Sequence, residues 1–168
     1  MSRNLDMTRT DMMIGPLIEV LMETRHGKNE GDVDAFEDAI WNIVDRNDPK
    51  DIVHLCNAFD DDTPYADMTG PMQSLINGVH EYTNCNDTND LVPHIVEGIV
   101  HMVPHAEEWA TELLASYINH YDVFLAGIAC YCADKPNHTH VLKHLLNKAY
   151  TSYGVEGQVD KLRKLLSV

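Results

Sequence analysis

Apolar residues return every three or four positions along most of this chain and nowhere settle into strand-like alternation, so helices are the structures it can bury. "IGPLIEVLMETRHG" puts Ile14, Leu17, Ile18, Leu21 and Met22 on one face and stops at Gly27. "GDVDAFEDAIWNIVDRNDP" aligns Val33, Phe36, Ile40, Ile43 and Val44, with Asp32 read as the N-cap and Pro49 opening the next helix. The rhythm recurs in "PKDIVHLCNAF", "TPYADMTGPMQSLINGVHEY", "NDLVPHIVEGIVHMV", "PHAEEWATELLASYINH" opened by Pro104, "YDVFLAGIACYCAD", "PNHTHVLKHLLNKAY" and "VEGQVDKLRKLLSV". No Asn-Gly or Asp-Gly signal joins two alternating runs. The expectation is an all-α fold of eight or nine short helices in stacked antiparallel pairs, a HEAT- or armadillo-like solenoid or an irregular bundle.

At 168 residues the chain suits one helical domain, with residues 1–10 outside the ordered part and a basic helix over 155–168. An apolar fraction of 44% is that of a globular protein. No apolar run reaches a membrane span, and "MSRNLDMTRTDMM" lacks a signal-peptide plan. Cys56, Cys85, Cys130 and Cys132 are too few for a disulfide scaffold and form no CxxC, which fits a reduced cytoplasm. There the sequons at Asn86 and Asn137 are without consequence.

Charge narrows the function. The chain carries −15, and residues 51–134 hold 14 Asp and Glu with no Lys or Arg. Surfaces kept only for solubility mix both signs. A field of one sign repels nucleic acid and anionic membrane and draws in cationic partners. "HLCNAFDDDTPYADM" concentrates the pattern in Asp60, Asp61 and Asp62. An EF-hand begun at Asp60 would need Gly and Glu where Tyr65 and Pro71 stand, and one begun at Asp62 meets Asp67 and Gln73. Thr63 reads as an N-cap with Pro64 at the first helical position, and the three acids then lie near that helix's positive end. One acid would suffice there.

The other chemistry-bearing residues point nowhere specific. His101 and His105 are spaced by four around Pro104, and His138, His140 and His144 follow Cys130 and Cys132, but neither HExxH nor paired CxxC is present. Met68, Met72 and Met102 read as core, and the CxC on its apolar helix reads as buried packing. No phosphate loop, GxSxG elbow or nucleophile pattern occurs. The expectation is a non-enzyme with no metal and no cofactor.

"LCNAFDDDTPYADMTGPMQSLINGVHEY" and "VEGIVHMVPHAEEWATELLASYINH" resemble the bacterial immunity protein 30 family of polymorphic toxin and contact-dependent inhibition systems. The matching residues are Ala58, Phe59, Asp60, Asp61 and Thr63, then Pro104, Ala106, Trp109, Leu113 and Asn119, within roughly residues 32–150. The chain departs from the family at Gly70-Pro71, where the family helix continues. The resemblance implies a cytoplasmic immunity protein whose partner is a toxin's C-terminal domain, bound 1:1 without direct contact to nucleic acid or membrane. A nuclease toxin, a ribonuclease above all, presents Lys and Arg to phosphates, and an acidic surface can occupy that site. The toxin-binding residues expected on this reading are Asp60, Asp61, Asp62, Asp67, Glu81, Asp87 and Glu107, with Tyr65 and Tyr82 as aromatic anchors and Trp109 in the core. A helical-repeat adaptor for another basic or peptide partner is the alternative, and a metal-dependent enzyme using the histidines is a third.

Overall fold

The computed structural model describes residues 13–62, 70–120 and 122–167. Thr63, Pro64, Tyr65, Asp67 and Met68 lie outside them. Within them the chain is helical, with nine α-helices and no strand. These are α1 (Ile14–Thr24), α2 (Glu30–Val44), α3 (Ile52–Asn57), α4 (Pro71–Cys85), α5 (Thr88–Met102), α6 (Glu107–His120), α7 (Asp122–Cys132), α8 (Pro136–Ser152) and α9 (Glu156–Leu165). A 3-10 turn, Pro49–Asp51, leads into α3.

Side-chain oxygens and prolines set the starts. Asn29, rather than Asp32, caps α2 by accepting the Asp32 amide at 3.0 Å, so the cap falls three residues before the residue expected to supply it. Asp48 accepts the Lys50 amide ahead of Pro49, and Asp87 caps α5 by accepting the Asn89 amide. Pro71 and Pro136 stand at the first position of α4 and α8, where a missing N–H costs nothing. Gly70-Pro71 therefore begins α4 and does not kink it.

Consecutive helices pair, and the pairs stack. One layer runs α3, α5, α7, α9 and the other α2, α4, α6, α8, with α1 closing the end on α2. Between α4 and α6 the join is polar as well as apolar. The Tyr117 hydroxyl donates to the Val79 carbonyl at 3.2 Å, and the His80 ring stacks on Tyr117 with its Nε2 2.9 Å from Ser116 Oγ. Burial, helped by nearby His120, pushes the His80 imidazole down to about 4, so it packs as a neutral ring. The core is continuous from Leu21 on α1 to Leu162 on α9, which is the stacked-pair architecture that the periodicity predicts. In the CxC motif only Cys132 is buried. Two residues along a helix turn the side chain by about 200°, and Cys130 is exposed.

Candidate functional site

The three adjacent aspartates do three different things. Asp60 is 9% exposed; its Oδ2 meets Arg25 Nη2 at 3.0 Å with His26 Nε2 at 3.8 Å, and its Oδ1 accepts the Asp62 amide. Asp61 turns to α6, where its carboxylate accepts the Glu108 amide at 3.1 and 3.2 Å and the Trp109 amide at 3.5 Å. Of the three, only Asp62 is exposed. Asp61 therefore serves α6, 47 positions along the chain, and the helix start expected at Thr63 and Pro64 lies outside the described residues. This also explains why α6 begins at Glu107 and not at Pro104. The acceptor reaching its first amides comes from outside the segment, and Ala106 first closes a turn on the Met102 carbonyl at 2.7 Å.

Because Asp61 is a charged cap, Asp61→Ala is expected to cost about 1–2 kcal/mol. In a chain of this size that lowers the melting temperature by roughly 2–8 °C in a thermal scan. Asp62→Ala should leave it almost unmoved. Equal effects of the two would refute the capping role.

The remaining expected residues fall into two groups. Glu107 lies beside the aspartate loop, its Oε1 2.7 Å from Lys148 Nζ and 3.0 Å from His144 Nε2, and hydrogen bonds from Lys148 and then His144 hold its carboxyl below the usual range. Glu81, Tyr82 and Asp87 lie instead around the start of α5, and that 15-residue helix separates the groups by about 22 Å. Asp87 is exposed, and Glu81 accepts the Asn84 side chain. Tyr82, expected as an anchor for a partner, is core: it is 1% exposed, its hydroxyl points to the Ile43 carbonyl, and burial raises its phenol well above the usual range. Trp109 is also core, tilted against Phe59.

Other inward or half-buried carboxylates of the Lys/Arg-free stretch have partners too. Asp51 pairs with Arg46. Glu97 accepts the Tyr131 hydroxyl and lies 3.0 Å from His138 Nε2. Burial pushes the Glu97 carboxyl up, but those hydrogen bonds outweigh it and hold it below the usual range. No cation lies within ion-pair distance of Asp62, Asp87, Asp90 or Glu108 among the described residues, and all four are exposed.

One surface residue escaped the sequence reading. Trp41 is 41% exposed on α2, off the face that buries Phe36, Ile40 and Ile43. The signal was present: Trp41 falls three residues after Asp38, on the polar side of the periodicity.

Among the described residues no group of three or more His, Cys, Asp or Glu is placed to hold a metal, and no helix is long and apolar enough to cross a membrane. What the fold offers is a stack of packed helices with Asp62, Asp87, Asp90 and Glu108 exposed among the described residues. The family model described as immunity protein 30 matches residues 23–126, and the chain belongs to that family. No curated protein and no solved structure matches it. Membership supports an immunity function with a cognate toxin as partner.

Proposed function

We propose that this chain neutralises a nuclease toxin, a ribonuclease foremost, by placing surface carboxylates where the toxin would hold nucleic-acid phosphates, in a 1:1 complex in the bacterial cytoplasm. The observation that carries this reading is the division of the carboxylates. The inward ones are matched by Arg25 and Arg46 from the N-terminal part and Lys148 from the C-terminal part, while Asp62, Asp87, Asp90 and Glu108 keep their charge for solvent. A nuclease needs Lys and Arg to hold its substrate, so a complementary acidic surface both speeds encounter and competes with the polyanion.

The test is to purify this chain with the toxin domain encoded beside its gene and to follow RNA cleavage. Equimolar chain should abolish cleavage, and the association rate should fall roughly ten-fold or more from low to high salt. Suppression of DNA cleavage alone would remove the ribonuclease assignment. A salt-independent rate, or no complex, would remove the electrostatic mechanism.

A further inference from the structure

We propose that the outward face of α2, centred on Trp41, is the surface on which the cationic toxin docks. This rests on the toxin-neutralising reading above and adds where and how the partner sits. Asp34, Asp38, Trp41 and Asp45 follow one another at steps of four, three and four, which places them on one side of the helix. All four are exposed. The opposite side packs into the core through Phe36, Ala39, Ile40 and Ile43. The flank facing α4 is marked by Glu37, whose carboxylate accepts the Ser74 hydroxyl at 3.0 Å.

The position of α2 makes this face more than one acidic turn. Its start lies against the α1–α2 turn, where Gly27 stands close to both Val33 and Pro71 and where Arg25 holds Asp60. Its end shares a cleft of about 220 Å³ with α4, lined by Asp45 and Glu81 among others. Beyond that cleft Asn86 donates to Asn47 at 2.9 Å, which brings Asp87 alongside. The helix thus spans the gap between the two separated groups of acids, over 15 residues or about 22 Å. No Lys or Arg occurs within α2, and Arg46, just past its end, is drawn to Asp51.

The chemistry selects the occupant. An indole ringed by carboxylates suits a Lys or Arg side chain, which can lie over the ring while the acids share its charge. A second copy of this chain would set like charges face to face, as would a nucleic acid. The occupant is therefore a basic face of the toxin, with one guanidinium or ammonium seated on Trp41 and its neighbours paired to Asp34 and Asp38.

The probe is the catalytically inactivated toxin domain encoded beside this gene, titrated against the full chain and three variants: Trp41→Ala, Asp38→Lys and Asp134→Lys. Asp134 supplies the charge control, since its side chain is 87% exposed and it lies outside the residues matched to the family. Trp41→Ala should weaken binding by roughly thirty-fold or more, mainly through faster dissociation. Asp38→Lys should slow association by roughly ten-fold, and Asp134→Lys should do much less. Tryptophan emission supplies a second readout, because the chain has two tryptophans and Trp109 is 5% exposed. A toxin lacking Trp should blue-shift or quench the emission of the wild type and barely change that of Trp41→Phe. If wild-type chain does not bind, the toxin reading itself fails and this surface falls with it. If it binds and both α2 variants bind equally well, the toxin reading stands and the docking face is wrong. A concentration-dependent dimer abolished by Trp41→Ala would assign the face to a second copy and overturn the cationic partner.

Discussion

Arg46→Met is expected to cost about 3 kcal/mol of folding free energy, because it leaves Asp51 buried without its cation. Arg46 Nε donates to Asp51 Oδ2 at 2.8 Å, and Asp51 is only 4% exposed, in the 3-10 turn that feeds α3. The hydrogen bond to Asp51 is also the largest influence holding the Arg46 guanidinium above its usual value. Removing the carboxylate instead is milder, since the side chain of Arg46 is already 18% exposed and can turn to water. The orphaned acid has no such exit. The positive end of α3 offsets part of its charge, which keeps the expected cost at the lower end of the range for broken buried pairs. The melting temperature should fall by roughly 6–12 °C. Adding Asp51→Asn should recover about 1 kcal/mol or more by removing the charge. Denaturant titration of both variants decides the matter, and a single variant within about 0.5 kcal/mol of wild type would mean that the pair behaves as a surface bridge.

That pair illustrates how the unbalanced charge of the sequence becomes ordinary chemistry once folded. Counting along the chain separates acids from bases. Folding brings Arg25 to Asp60, Arg46 to Asp51 and Lys148 to Glu107, so part of the apparent surplus is internal bracing. Helix content, the stacked pairs and most helix segments were legible, because burial along a helix writes a period of 3.6 into any sequence. Partners were not. The reach of Asp61 to the Glu108 amide crosses 47 positions, and periodicity says which face a residue occupies but not whose backbone it meets. The same gap explains Tyr82. Its place near acids suggested an anchor, whereas α2 packs close enough for its hydroxyl to end 3.4 Å from the Ile43 carbonyl. Trp41 went unread altogether, although its place three residues after Asp38 sets it on the acidic side of α2.

Gly98→Ala is expected to destabilise the protein by about 2 kcal/mol, although alanine is the better helix former by about 1 kcal/mol. The reason is the contact between α3 and α5. A Cβ on Gly98 would lie 2.5 Å from Cys56 Sγ and 3.1 Å from Cys56 Cβ. The sulfur cannot easily swing away, because Cys56 is fully buried, and burial pushes its thiol up to about 12. Overpacking of about 3 kcal/mol therefore outweighs the gain in propensity, and the melting temperature should drop by roughly 4–8 °C. Cys56→Ala alone should cost about 1–2 kcal/mol through the void left by the sulfur. In the double variant the new methyl occupies part of that void, so the two losses should not add. It should be more stable than Gly98→Ala alone, with a coupling of about 1 kcal/mol or more in a double-mutant cycle. The remaining 3.1 Å approach to Cys56 Cβ keeps the rescue incomplete. Additive losses, or a Gly98→Ala protein more stable than wild type, would mean that the two helices stand farther apart and that the glycine is not required by their packing.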